Sequence, residues 1–406
     1  MSQWQQTAIE LSELSTVFTD GDWIEKKDQS LDGIRLIQTG NVGTGQFKNR
    51  QDKARFISSQ TFEKLKCTEI VSGDCLISRL PDPVGRACLI PEDLNERMIT
   101  AVDCSIVRFN KDLIIPKFFI YYSQSRSYLA TVEKFCTGAT RKRISRKNLG
   151  KIKIPRTSLF DQERIVSVLD EAFEAIDTAI ANTEKNLLNT EELFQSILDQ
   201  QFNDLDSDES EWQQTTIGEL CEVISGQSPK GEYYNDVGEG LPFYQGKKEF
   251  QSRHIGAPKK WTTHITKEAL PNDVLMSVRA PVGPVNFATE KICIGRGLAA
   301  IRAGEKLNSD FLFYGLLAKQ NVITGKDGAV FKSINREQIN LIEVPALPLS
   351  EQERIVSVLD EANDSVQALR DGLLVKLAGL EELKQSVLEK AFSGELTDSV
   401  LEEAGV

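Results

Sequence analysis

The chain of 406 residues is 40% hydrophobic and 27% charged, which excludes disorder and collagen-like repetition and leaves room for two or more cores at about 100–200 residues per domain. No run of about 18 apolar residues occurs, and the opening Met1-Ser2-Gln3-Trp4-Gln5-Gln6 lacks the basic and apolar regions of a secretory signal, so a cytoplasmic protein is expected. The formal net charge of −12 hides an alternation: residues 1–156 carry +7, 157–211 carry −13, 212–345 carry +2 and 346–406 carry −8, a pattern that bears on partners rather than on fold.

In chain order, the first block (residues 1–157) holds short β-rich runs such as Asp103 to Phe109, and turn signals such as Thr39-Gly40-Asn41. Pro116 to Tyr122 reads as a short helix or strand, and the block as mixed α/β with a twisted sheet. Its most charged stretch, Thr137 to Lys147, places Arg141, Lys142, Arg143, Arg146 and Lys147 within seven residues beside Gly138. A phosphate backbone is the usual counterpart of such a cluster. Arg79 and Arg86 are further candidate phosphate contacts. Thr39 and Asn41 belong to a polar loop able to reach base edges.

Residues 158–203 form a predicted long helix with an apolar frame of Ile165, Leu169, Ala172, Ile176, Ala179, Leu193 and Ile197, softened at Thr183, Asn186 and Thr190. The acidic stretch 204–211 reads as a linker. A second mixed block (212–347) follows, with β-rich Lys291 to Arg302, the turn signal Pro281 to Pro284, and Ser309 to Leu317 as helix or strand. Its candidate DNA contacts are Gln245, Lys247, Lys248, Lys259, Lys260, Arg279 and Lys332. A second long helix is predicted over 348–397, leaving a tail at 398–406. Ile355, Leu359, Ala362, Val366, Leu369, Leu373, Leu380, Leu383 and Val387 keep its 4-3 spacing, Ser350-x-x-Glu353 supplies a capping box, and Gly394 a stop. Each helix covers about 40 residues, roughly 60 Å at 1.5 Å per residue.

The two halves are related by an internal repeat. Gln162-Glu163-Arg164-Ile165-Val166-Ser167-Val168-Leu169-Asp170-Glu171-Ala172 recurs unchanged at Gln352 to Ala362. Trp4-Gln5-Gln6-Thr7 returns as Trp212-Gln213-Gln214-Thr215. Each half is thus a variable block followed by a nearly invariant helix, and the two helices are natural partners in an antiparallel coiled coil with pseudo-twofold symmetry.

Catalytic apparatus is not found in the sequence. There is no Asn-Pro-Pro-aromatic motif, no G-x-G-x-x-G after a strand and no Walker A loop. Pro81-Asp82 lacks the acidic-x-Lys partner of a nuclease site, and the two histidines, His254 and His264, do not build a metal centre by themselves. No metal and no cofactor are expected. The cysteines at 67, 75, 88, 104, 136, 221 and 293 form no C-x-x-C pair and read as reduced small hydrophobes.

Taken in order, the variable block, the basic loop, an Ile-x-Ile-Pro or Ile-x-Val-Pro strand (Ile152 to Pro155, Ile342 to Pro345) and a Gln-Glu-Arg-Ile helix, all given twice, resemble the specificity subunit of type I restriction-modification systems. The resemblance implies an α+β fold of two target recognition domains on a helical spacer. It implies an asymmetric, bipartite double-stranded DNA target, docking of two modification (methyltransferase) subunits with room for restriction subunits, and no catalysis by the chain itself. The alternative is a coiled-coil adaptor that joins proteins without reading DNA.

Overall fold

The computed structural model describes residues 8–94, 96–138, 140–206, 213–320, 323 and 333–393. The chain divides into two compact units, residues 1–183 with 375–406, and residues 184–374. Each unit therefore takes half of each long helix.

In the first unit, one four-stranded antiparallel sheet runs in the order Ser15–Asp20, Cys104–Phe109, Cys75–Ser78, Ala87–Leu89. Both of its faces are covered, and the side-chain period of two divides its apolar residues between them. Cys75, Ile77, Val107 and Phe109 enter the core shared with the helices, while Leu76, Cys88, Cys104 and Ile106 enter a second core with Ile37, Ile70 and Met98. Burial on both sides explains why these strands read as unbroken apolar runs. A second sheet, in the order Gln29–Ser30, Phe56–Ile57, Ile34–Ile37, Met98–Thr100, contains one parallel pair, Ile34–Ile37 with Met98–Thr100. Ile9–Glu10 pairs with Lys153–Ile154 and ties the first described residues to the end of the block.

The second unit repeats this plan. Its first sheet is Cys221–Ser225, Leu298–Ala303, Val274–Ser277, Val285–Phe287. Its second is Tyr234–Asn235, Trp261–Thr262, Leu241–Tyr244, Ile292–Ile294, Glu268–Ala269, again with one parallel pair, Leu241–Tyr244 with Ile292–Ile294. Gln214–Thr216 pairs with Glu343–Pro345. The ambiguous segments are helices, Pro116–Tyr122 and Ser309–Ala318. Even an ion pair repeats: Arg108 grips Asp74 with two 2.8 Å bonds, and Arg302 grips Asp273 at 2.9 and 2.8 Å. The fold is α+β, two mixed domains on two long helices that pair antiparallel.

The first long helix is Leu159–Asp206, so it continues into the stretch expected to be linker, and the second is Leu349–Ser393. Ser158 caps the first by accepting the Asp161 N–H at 3.1 Å. In the second helix Ser350 lies inside the first turn, where the Glu351 and Gln352 N–H groups donate to the Pro348 carbonyl instead; the capping box expected at Ser350 does not form. Gly394 lies outside the described residues.

Ile165, Leu169, Ile176, Ile355 and Leu359 are buried, and Val366, Leu373, Val387 and Ile197 are partly so. Leu193 and Leu383 are both 48% exposed, and Leu369 is 51% exposed. The seam has moved one residue on, to Phe194 and Leu198 in one helix and to Lys384 and Leu388 in the other, because the 3.6-residue turn drifts against a strict heptad. Lys384 fits the seam because its stem lies over Phe173, with Nζ 4.5 Å from the ring centroid and 2.6 Å from Asp177. Thr183 and Thr190 are buried in that stripe, their hydroxyls donating to the carbonyls of Ala179 and Leu187 at 2.7 Å.

The eleven-residue repeat is a joint. The buried Gln162 amide donates to the carbonyls of Leu113 (3.3 Å) and Thr157 (3.1 Å) and accepts the Ile115 N–H (2.8 Å). Gln352 repeats this with Lys306, Leu347 and Asn308 at 3.0, 2.8 and 2.7 Å. Two turns on, Asp170 accepts the Tyr121 hydroxyl and pairs with Lys117 at 2.7 Å, while Asp360 accepts Tyr314 at 2.6 Å and Arg253 at 2.5 Å. Burial first, and the carboxylate second, push both phenols well above their usual range, so each stays a donor. The seven cysteines are free and five are buried. Burial pushes the Cys67 and Cys104 thiols up to about 11 and those of Cys88 and Cys221 up to about 12.

Candidate nucleic-acid interface

In the first unit the basic loop is a closed hairpin. Thr137 and Arg143 exchange backbone hydrogen bonds at 2.9 Å each. Gly138 turns the chain at φ +100°, where an added Cβ would run into the Arg141 carbonyl. The hairpin is anchored by buried Ile144, whose N–H donates to the Arg79 carbonyl, and the Arg79 N–H donates in turn to Asp103 at 2.9 Å. Carboxylates hold three of its cations: Arg143 pairs with Asp103 at 2.9 Å, Lys142 with Glu133, and Arg146 with Asp20 at 3.8 Å. Lys142 holds the exposed Glu133 carboxyl below its usual range. Arg141 and Lys147 are exposed and make no ion pair among the described residues, so they are the cations most available to phosphate.

Three expected contacts are instead used inside the protein. Arg86 is 8% exposed, and its guanidinium donates to the carbonyls of Val42, Leu80, Pro81, Pro83 and Thr39 at 2.6–3.0 Å. Arg79 is 4% exposed, donating to the Val102 carbonyl with Asp20 at 3.4 Å. Asn41 is buried: its side chain accepts the Gln38 N–H at 3.0 Å and donates to the Lys48 carbonyl at 2.9 Å. These side chains are buried and bonded to fixed groups of the protein, so they shape loops; the buried Arg79 Nε has no hydrogen-bond partner among the described residues and lies 3.4 Å from Asp20. Thr39 stays half-buried at the loop edge, its carbonyl taken by Arg86.

In the second unit, Leu241–Tyr244 runs antiparallel to Trp261–Thr262. That register brings Gln245, Lys247 and Lys248, which follow one strand, to the same end of the sheet as Lys259 and Lys260, which precede the other. Gln245 and Lys248 are exposed, as are Lys259 and Lys260. Lys260 Nζ lies 5.9 Å from the centroid of the Tyr234 ring. Arg279 is exposed and bridges Ser333 through its backbone. Lys332 lies outside the described residues.

Two sets of cations were missed from sequence. Lys48, Arg50, Lys53 and Arg55 are all exposed. Arg55 is the counterpart of Lys260, since its carbonyl accepts the Leu36 N–H at 2.7 Å just as the Lys260 carbonyl accepts that of Phe243 at 2.8 Å. Four cations in eight residues was a legible signal. Arg296, exposed on a Gly-Arg-Gly turn beside Gln245, gave none, because a lone arginine is not a charge cluster. Among the described residues no group of three or more His, Cys, Asp or Glu could hold a metal ion, and no helix is long and apolar enough to cross a membrane.

The chain thus holds two copies of one scaffold, each with a basic, polar loop surface. The sequence pattern of the type I restriction modification DNA specificity domain matches residues 1–190 and 209–377. A Methanocaldococcus jannaschii protein assigned as the type I restriction enzyme MjaX specificity subunit is 27% identical over 365 residues, covering 85% of this chain and 83% of that protein. The type I restriction enzyme EcoBI specificity subunit of Escherichia coli is 24% identical over 179 residues, 44% of this chain and 37% of that one. Among solved structures, a chain from work on complex assembly and conformational transition of the type I R-M system superposes with a TM-score of 0.82 at 28% identity, covering 95% of this chain and 97% of its own. The HsdS subunit from Thermoanaerobacter tengcongensis does so with 0.58 at 28%, covering 96% of each. The chain belongs to the family of type I restriction-modification DNA specificity subunits. Its role is DNA sequence recognition.

Proposed function

We propose that this chain reads a split, asymmetric double-stranded DNA target, with one unit on each half, and that its duplicated helices dock two methyltransferase subunits, to which restriction subunits add. It supplies specificity and performs no covalent step of its own; it needs no cofactor and acts in the cytoplasm. The observation that carries this reading is the contrast between repeated scaffold and unrepeated surface. Strand order and the helix joints recur, while the residues displayed at equivalent loop positions differ, such as Arg55 and Lys260 or Val102 and Arg296.

The docking face lies on the same repeat. Glu163, Ser167, Val168 and Glu171 are exposed on one helix, and Glu353, Ser357, Val358 and Glu361 on the other; both valines are 39% exposed. An identical acidic face with a central apolar residue, given twice, suits one partner bound twice and repels DNA. Val168→Asp alone, or Val358→Asp alone, should reduce the bound methyltransferase from two copies to one in native mass spectrometry, and the double variant to none. Sequencing modified bases in DNA methylated by the reconstituted assembly tests the function: a split motif with unlike halves is expected. No enriched motif would favour the adaptor reading.

A further inference from the structure

We propose that Arg296 and Gln245 form a base-reading pair in the second unit, with the Arg296 guanidinium recognising a guanine edge in the major groove. This rests on the DNA-recognition reading above and names the residues that carry part of it.

Gly295 and Gly297 flank Arg296, and both are buried against the Gln245 backbone. A Cβ on Gly297 would lie 2.5 Å from the Gln245 carbonyl oxygen, and one on Gly295 would lie 3.0 Å from the Gln245 Cα. The Gly297 N–H donates to the Gln245 carbonyl at 3.1 Å, and the Gly295 N–H to Tyr244 at 2.8 Å. Only glycine lets the turn lie this close, and the result is that Arg296 emerges directly beside Gln245. Ser228 then fixes both: its Oγ accepts the Arg296 N–H at 3.1 Å and donates to Gln245 Oε1 at 3.0 Å. The second bond holds the carbonyl oxygen of the exposed Gln245 amide. Arg296 makes no ion pair among the described residues, unlike Arg143, Arg253 and Arg302.

An exposed, unpaired guanidinium and an oriented carboxamide side by side on a rigid turn match the needs of direct readout. Arginine bonds guanine O6 and N7 in a fork, and glutamine bonds adenine N6 and N7. Lys247, Lys248, Lys259 and Lys260 at the same end of the sheet supply the phosphate contacts that would hold the turn in a groove.

The first unit carries the same corner with other chemistry. Ala101 donates to Ile37 (2.9 Å) as Gly295 does to Tyr244, Asp22 to Thr100 (2.8 Å) as Gln227 to Ile294 (3.0 Å), and Arg79 to Asp103 (2.9 Å) as Val278 to Gly297 (3.0 Å). Val102 therefore stands where Arg296 is, and Trp23, 70% exposed, where Ser228 is. A corner that keeps its backbone bonds while exchanging arginine and serine for valine and tryptophan is a place where the two half-sites are told apart.

The test compares Arg296→Ala, Arg296→Lys and Gln245→Ala in the full complex, by binding to a duplex library and by sequencing modified bases. Arg296→Ala is expected to lose roughly ten- to a hundredfold discrimination at one or two positions of one half-site, leaving the other half-site and the melting temperature unchanged. Arg296→Lys should rescue it only in part, because an ammonium can reach guanine O6 and N7 but lacks the planar fork that fixes the direction of both bonds. Gln245→Ala should relax a neighbouring position. The inference is overturned if Arg296→Lys keeps full discrimination, or if Arg296→Ala weakens all sequences equally and lowers the salt slope by about one, the signature of a phosphate contact. If the wild-type complex itself enriches no split motif, the recognition reading fails instead.

Discussion

Arg86 and Arg141 have the same formal charge and opposite uses. The five carbonyls around Arg86 make it a spacer between loops, so Arg86→Ala should lower unfolding stability by about 2–4 kcal/mol, since it leaves buried acceptors unmatched. The salt dependence of DNA binding should stay as in wild type. Arg141→Ala with Lys147→Ala should do the reverse: no change in melting, weaker binding to every sequence, and a salt slope shallower by about two. Sequence could not separate the two arginines, because charge is written in the chain and burial is not. Asp22 gives a pH handle. Burial raises its carboxyl above the ordinary value despite the Thr68 N–H bond, so the folded state holds that proton more tightly than the unfolded one. Its contribution to stability is present in acid and is lost as pH rises through the folded value. Asp22→Asn should flatten the part of the stability curve just above the ordinary carboxylate range, read by denaturant titration at a series of pH values.

The elements were largely legible where a period or an exact repeat marked them. Both long helices and their stripes are visible in the sequence, as is the mixed character of the blocks. The seam departs from the 4-3 count at Leu193 and Leu383, because a strict count does not follow the drift of a 3.6-residue turn over about eight turns, and because Lys384 looks wrong for a seam until its stem is seen on Phe173. Leu383→Ala should therefore change stability by less than about 0.5 kcal/mol, whereas Leu388→Ala, at a fully buried position, should cost about 2–5 kcal/mol in chemical denaturation. The capping box at Ser350 failed for a related reason: the pattern was present, but Pro348 already supplied the first turn's acceptor. At the hairpin, the sequence shows Gly138 only as a neighbour of cations, and its positive φ gives the reason for a glycine there. Gly138→Ala should distort the Arg141 to Arg143 loop, weakening DNA binding while far-UV circular dichroism stays the same.

Across the whole molecule, the net charge of −12 and a DNA-recognition role coexist because the acidic excess lies in the helical segments, while the two mixed blocks are net basic. The repeat was the strongest signal, and the joints at Gln162 with Asp170 and Gln352 with Asp360 explain it physically: every side chain there has a counterpart that must be met twice. The candidate interface was less legible, since loop geometry decides whether an arginine faces solvent or a carbonyl.

The matched exposure of Val168 and Val358 has an evolutionary corollary. On the proposed docking, one partner surface must accept both copies, so neither helix is free to drift: a change at one site helps only if the other changes with it or tolerates the altered partner. The Arg296 and Val102 corner carries no such obligation. Selection on this chain should therefore act as two clocks, a slow one shared by the twin helices and a fast one run separately by each reading surface.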